Sequence, residues 1–238
     1  MNFQLTEEQL AVRQAARDFA QQECLPGVIE RDELQKFPRE QITKLAELGF
    51  MGMMVSPEYG GGGMDTVSYV LAMEEVSKID ASCSVSMSVN NSLVCWGLET
   101  YGTEEQKRKY LTPLAQGTKN GELYIGAFLL SEPEAGSDAT SQRTTAIDNG
   151  DHYILNGTKN WITHGKSGDI AVVICRTGEP RAKNNATAFV VERGTAGFSG
   201  GKKENKLGMR ASETAEMIFD HCRIPDANRL GELGDGFK

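Results

Sequence analysis

Near Gly121 the chain changes character, and that change constrains the fold more than any other feature. Before it, apolar residues recur at helical spacing. After it, short β-rich segments alternate with Gly, Asn and Asp turns. A period of 3.6 and a period of 2 cannot share one element, so the expected class is α+β, with an all-α helical domain over 1–121 and a β domain over 122–238. With 238 residues there is enough chain to bury both cores.

In the first half, Thr6-x-x-Gln9 reads as a capping box, with Leu5 and Leu10 spaced to staple it and Ala15, Ala16, Phe19 and Ala20 extending an apolar face. Pro26-Gly27 breaks that helix. Pro38 can open a second, carrying Ile42, Leu45 and Leu48 and stopped by Gly49. After a loop through Ser56–Gly63, a third helix runs from Asp65 through Val67, Val70, Leu71 and Val76. A fourth, over about 81–100, is rich in small residues (Ser82, Ser84, Ser86, Ser88), with Val85, Val89, Leu93 and Trp96 at i, i+4 spacing. Small side chains let helices approach closely or leave room for a ligand beside them. Thr103-x-x-Gln106 caps a fifth helix with Tyr110, Leu111 and Leu114, ended by Gly117.

The second half predicts strands at 122–130, 143–148, 151–156, 158–163, 169–175, 187–192 and 215–224, which suggests an antiparallel barrel or sandwich. The connector Gly178–Asn185 reads as a polar surface loop. Asn156-Gly157, between Tyr153-Ile154-Leu155 and Trp161-Ile162-Thr163, predicts a tight hairpin. Some twenty residues earlier, the apolar Phe128-Leu129-Leu130 leads into the polar turn Ser131-Glu132-Pro133-Glu134-Ala135-Gly136-Ser137-Asp138. Two neighbouring strand ends would then hold Ser131, Ser137, Trp161 and Thr163. Three hydroxyls and an indole suit a planar heteroaromatic ligand, but they also make an ordinary hairpin with a solvated serine-rich turn.

Charge and motif content narrow the classes. A net charge of −8 with both signs interspersed argues against a nucleic-acid partner. No apolar run approaches the roughly twenty residues of a membrane span. Met1 to Glu8 is acidic, without leader character. The five cysteines, Cys24, Cys83, Cys95, Cys175 and Cys222, are spread widely and read as reduced thiols of a cytoplasmic protein. Gly165-Lys166-Ser167 resembles the end of a phosphate-binding loop, yet Asn160 stands where its first glycine is required. The glycines at 60–63 lack a strand-to-helix context for a dinucleotide site. Glu132, Glu134 and Asp138 read as a solvated acidic turn rather than paired acid–base or metal carboxylates. His152, His164 and His221 have no ligand spacing and no nucleophile motif beside them.

Several ordered segments carry a family resemblance. Leu130-Ser131-Glu132-Pro133-Glu134-Ala135-Gly136-Ser137-Asp138 resembles the first signature of the flavin-dependent acyl-CoA dehydrogenases. Pro57-Glu58-Tyr59-Gly60-Gly61, Leu155–Thr163, Lys206–Ser212, Phe219-Asp220 through Arg223-Ile224-Pro225, and Leu230–Lys238 stand where that family has motifs. Met87–Leu93 resembles the corresponding helix of short-chain, butyryl-type members.

The resemblance implies a helical domain, a middle antiparallel β-barrel, and FAD held against the barrel by Phe128, Leu130, Ser131, Gly136, Ser137, Trp161, Ile162 and Thr163. In it Ser131 donates to the pyrimidine side of the ring, Trp161 covers the ring and Thr163 lies near N5. It also implies that Ser137 meets the pantetheine arm of an acyl-CoA, and that Val85, Ser86, Val89 and Leu93 border the acyl pocket. The implied reaction is α,β-dehydrogenation to a trans-2-enoyl-CoA, with electrons passing to an electron-transferring flavoprotein and a homotetramer as the assembly. Leu129 departs from the family's usual small residue. Members continue into a C-terminal four-helix domain carrying the catalytic glutamate, so the resemblance implies a chain truncated at Lys238 and inactive alone. An acyl-CoA oxidase, a flavin monooxygenase and a non-catalytic binding module are the alternatives.

Overall fold

The computed structural model describes residues 4–180 and 182–238. Met1–Phe3 of the acidic amino terminus and Arg181 of the polar connector lie outside the described residues. Helix α1, Glu7–Phe19, starts at the Thr6 box: Gln9 N donates to Thr6 Oγ1 at 3.2 Å and Thr6 N to Gln9 Oε1 at 3.0 Å. It widens into a π turn, Ala20–Cys24, and breaks at Gly27. Short α2, Val28–Glu33, precedes α3, Arg39–Glu47, whose N-cap is Pro38. Helix α4, Thr66–Ser77, is capped by Asp65 Oδ1 accepting from Ser68 N at 2.7 Å. Only part of its expected apolar face is interior, since Tyr69, Ala72 and Val76 are buried while Val67 and Val70 meet solvent.

The expected helix at 81–100 is one run with an altered middle: α5 (Ala81–Ser88), a π segment (Val89–Cys95) and α6 (Trp96–Tyr101). The second capping box opens α7, Glu104–Gln106, which continues through Lys107–Leu111 into α8, Thr112–Gln116. Gly117 ends it at φ 66°, and a Cβ there would lie 2.4 Å from that of Ala46, so only glycine lets the chain turn in this space.

Strands follow. A two-stranded ribbon pairs β1 (Thr118–Lys119) with β2 (Glu122–Leu123). The main sheet takes β3 (Gly126–Leu129), β4 (Thr145–Asp148), β5 (His152–Thr163), β6 (Ile170–Arg176), β7 (Ala186–Glu192), β8 (Phe198–Lys203), β9 (Thr214–Pro225) and β10 (Arg229–Leu230) in the order β10-β7-β6-β4-β5-β9-β8. Strand β3 joins it by pairing with β6 in parallel.

Two expectations are corrected here. The sheet is mixed rather than antiparallel, because β3 and the start of β4, at Thr145, both run parallel to β6. Nor is it a closed barrel. Strand β10 has only two residues, and β8 presents a bulged, largely exposed Gly200-Gly201 edge, so the two ends of the path do not pair.

A further correction concerns the hairpin at Asn156-Gly157. Strand β5 runs unbroken through it, with a bulge between Leu155 and Gly157 in its pairing with β9. The turn falls at the other Asn-Gly dipeptide, Asn149-Gly150, where Gly150 has φ 93° and β4 pairs with β5 from Asp148↔Tyr153 onward.

Pleat alternation sets where the cores sit. Ala127, Leu129, Val173, Phe189, Leu155 and Phe219 face an inner core made of sheet residues alone. Residues of opposite parity, Val172, Ile174, Ala188 and Val190, pack with Val94, Leu98, Tyr110, Leu111 and Leu114 of the helices. Leu129, whose size is unusual for the resemblance, is fully buried in the inner core.

Candidate functional site

Where β3 ends, the chain is fastened to β5. Asn160 N donates to Ser131 O at 2.8 Å, and Lys159 Nζ to Leu130 O at 2.9 Å. Ser131 is thereby fastened beside the residue that precedes Trp161, by these two bonds rather than by strand pairing, since β3 pairs with β6 and β5 with β4 and β9. Trp161 sits at φ 63° with its side chain 61% exposed. A large aromatic residue in left-handed backbone and open to water costs of order 1–3 kcal/mol, and such strain clusters at functional positions. Ile162 turns inward to the sheet core, and Thr163 is half-buried, paired with Thr214 of β9.

Beyond Ser131 the turn closes on itself, with Glu132 N donating to Ala135 O at 3.0 Å and leaving Gly136 and Ser137 exposed. The Ser131, Ser137 and Thr163 hydroxyls and the Ser131 N–H take no hydrogen-bond partner among the described residues. Free donors at Ser131 and Thr163, on the two segments that meet at the Trp161 end of β5, form a set that fits a flat ligand with polar edges, with Ser137 exposed farther along the turn.

Phe128 and Leu130 share the parity that faces the helices. With Leu93, Trp96, Val172 and Ile174 they line an apolar cavity of about 250 Å³. The 235–238 segment forms another wall, held by Gly236 N donating to Ala186 O at 2.8 Å. Leu93 from the helix and Phe128 and Leu130 from the strand therefore share one space, while Ser131, Trp161 and Thr163 lie outside its lining. Val89 packs on the adjoining core. Ser86 is fully buried, its Oγ donating to Ser82 O at 3.2 Å, and Val85 is half-buried.

The π segment presses the helix onto this region. Asn90 Oδ1 accepts from Gly126 N at 3.0 Å, at the start of β3, while its Nδ2 donates to Met51 O and Leu114 O. His164 Nδ1 is 2.9 Å from Gly126 O on the other side. Burial pushes the His164 imidazole below its ordinary value, so it is neutral at pH 7 and donates there as a fixed tautomer.

Sequence reasoning missed one pair at the site. Glu132 is not a solvated turn residue: it is buried, with Oε1 2.8 Å from the Nζ of Lys159, which has no exposed surface. Burial raises the Glu132 carboxyl, but Lys159 and the N–H of Arg143 outweigh it and hold it below the usual value. A signal was available: once the strand is continuous, Lys159 takes an inward-facing position, where a lysine requires a buried acceptor. Glu134 and Asp138 do remain at the surface.

The fold and this site define a class. Residues 6–118 match the family model for the N-terminal domain of acyl-CoA dehydrogenases and residues 127–222 that for the middle domain, and the chain belongs to the acyl-CoA dehydrogenase family. Among individual proteins, it is 45% identical over 237 residues to a short-chain specific acyl-CoA dehydrogenase of Clostridium acetobutylicum, covering 100% of this chain and 61% of that one. Butyryl-CoA dehydrogenase from Megasphaera elsdenii superposes with a TM-score of 0.93 at 42% identity, covering 100% of this chain and 62% of that one. A chain solved in work on the electron transferring flavoprotein of Acidaminococcus fermentans and flavin-based electron bifurcation gives a TM-score of 0.95 at 46% identity, with 100% and 61% covered. The chain thus spans about three fifths of the length of the relatives it matches.

Proposed function

We propose that this chain is the flavin- and substrate-facing part of a short-chain acyl-CoA dehydrogenase. The observation that carries the reading is the Ser131–Trp161 juncture: free hydroxyls, an unpartnered N–H and an exposed, strained indole where two strand ends meet. When bound, FAD supplies a two-electron acceptor for hydride from the β-carbon of an acyl thioester. Ser131 and Thr163 hold its polar edge, Trp161 keeps water from one side, and Ser137 meets the pantetheine arm. The Leu93–Phe128–Leu130 cavity takes the short acyl chain, a volume that suits a few methylenes.

The carboxylate that removes the α-proton belongs to the part of the relatives' length that this chain does not span, as does much of the cover that excludes water. Without a positioned base, turnover by residues 1–238 alone falls to near background. The acceptor of the electrons is an electron-transferring flavoprotein, and the setting is the cytoplasm. No helix among the described residues is long and apolar enough to cross a membrane.

The test is direct. Purified chain is mixed with FAD, passed through gel filtration and then exposed to butyryl-CoA. Co-eluting flavin with no bleaching supports the reading. Flavin that separates completely from the protein defeats the cofactor assignment, and rapid bleaching defeats the placement of the base.

A further inference from the structure

We propose that Lys159 and Glu132 are a positioning pair for the flavin surface, locking the Leu130–Ser131 peptide and the turn behind it against the Trp161 end of β5. The inference rests on the FAD reading above and adds two residues to it that touch no ligand themselves.

The pair joins three backbone segments around the site. Lys159 Nζ donates to Leu130 O at 2.9 Å, Glu132 Oε1 at 2.8 Å and Gln142 Oε1 at 3.1 Å. The Glu132 carboxylate accepts in addition from Arg143 N at 2.6 Å and Thr144 N at 3.0 Å. One ammonium and one carboxylate thus tie the end of β3, the turn and its return limb to β5, two residues before Trp161. A pair needed only for stability could be replaced by apolar side chains, since a buried ion pair seldom stabilises more than a hydrophobic one of equal volume. Here all its remaining hydrogen bonds go to groups that shape the candidate surface.

The Leu130–Ser131 bond has a second consequence. The Leu130–Ser131 peptide is trans, there being no cis peptide bond among the described residues, so the Ser131 N–H points away from the carbonyl that Lys159 grips. A cation on the carbonyl polarises the peptide and strengthens its N–H as a donor. That N–H has no partner among the described residues. Lys159 therefore sharpens a donor aimed at the ligand from the side opposite to it.

The experiment uses the 238-residue chain and FAD as the probe. Wild type, the charge-free double variant Lys159→Met/Glu132→Gln, Gln142→Leu and Trp161→Ala are compared by amide hydrogen exchange at 131–144 without ligand, by FAD affinity from fluorescence quenching, and by the absorbance maximum of bound flavin. The double variant is expected to exchange faster at Arg143 and Thr144, to lose about ten-fold or more in FAD affinity and to shift the flavin band, as loss of supporting shells does elsewhere. Gln142→Leu, which keeps both charges and guards against failure of the double variant to fold, should show a smaller loss in the same direction. Trp161→Ala should weaken FAD while leaving exchange at 143–144 unchanged. A folded double variant that binds FAD within two-fold of wild type, with an unshifted band, overturns the proposal. Wild type that binds no FAD overturns the flavin reading itself, and its own titration tells that failure from the first.

Discussion

Trp161 shows how much a single position can carry against local preference. Its left-handed φ of 63° is disfavoured for a large side chain, and its indole is mostly in water, so neither backbone nor burial explains it. Strain of this kind separates cleanly from contact loss by comparing two substitutions. Trp161→Gly and Trp161→Ala lose the same indole, but only glycine is at ease at positive φ, so the glycine variant should be more stable by about 1 kcal/mol in urea unfolding. Equal stabilities would remove strain from the account. Gly157 is the converse case. At φ 145°, an added Cβ would lie 2.5 Å from Thr144 Oγ1 and 2.7 Å from Thr144 Cα. Thr144 N is held by Glu132, so the clash would be pushed into the return limb of the turn. Gly157→Ala is expected to destabilise by about 1–3 kcal/mol and to weaken FAD binding together with stability. A neutral midpoint would show that the bulge relaxes instead.

At the scale of elements, helices were legible because their stop and start signals act locally. Both capping boxes, at Thr6 and Thr103, form as their spacing requires. Strand pairing was less so, since it depends on partners remote in sequence. Two Asn-Gly dipeptides compete in 149–157, and nothing local says which turns; antiparallel pairing of Thr145–Asp148 with Tyr153–Asn156 decides for Asn149-Gly150. The same remoteness hid the Lys159–Glu132 pair and the short β10, while the signature around Ser131 was plain because it is contiguous. Burial within α4 went astray for a similar reason. Glu75 turns inward there because α1 supplies Arg13 at 2.8 Å and Arg17 at 3.0 Å, with Lys78 at 3.1 Å from its own helix. Hydrogen bonding to Arg17 leads in pulling the Glu75 carboxyl down to about 2, against the opposing effect of burial. A carboxyl lowered on folding contributes stability that is complete above its unfolded value near 4.5 and is lost as pH falls toward 2. Wild type should therefore exceed Glu75→Gln in stability at pH 7, with the gap closing between about pH 5 and pH 2. A gap constant down to pH 2 would mean that the carboxylate contributes nothing through its charge.

Across the whole molecule, the helical and sheet halves are expected to unfold together, although their sequences divide near Gly121. The reason lies in where the cores run. One cluster takes Val94, Leu98, Tyr110 and Leu114 from the helices and Val172, Ile174 and Val190 from the sheet, with Tyr124 from the connection before β3, so neither half owns it. A second, mostly helical, cluster includes Leu123 and Ile125 from beyond the boundary. Polar contacts follow the same seam. Asn90 joins Met51, Leu114 and Gly126, while its neighbour Asn91 accepts from Met53 N at 2.8 Å and donates to Phe50 O at 2.8 Å. Both asparagines sit in the π segment, whose departure from α geometry turns two consecutive amides toward partners. Removing the Asn90 amide takes the acceptor from the buried Gly126 N–H and a donor from Met51 O, while Leu114 O keeps the Gly117 N–H at 3.0 Å. Asn90→Ala should cost about 3 kcal/mol or more. Because the loss falls on the seam, far-ultraviolet circular dichroism dominated by the helices and hydrogen exchange in β6 and β7 should register it at the same urea concentration. Midpoints that separate in the variant but coincide in wild type would show that Asn90 couples the halves; midpoints already separate in wild type would mean that the shared core does not make them one cooperative unit.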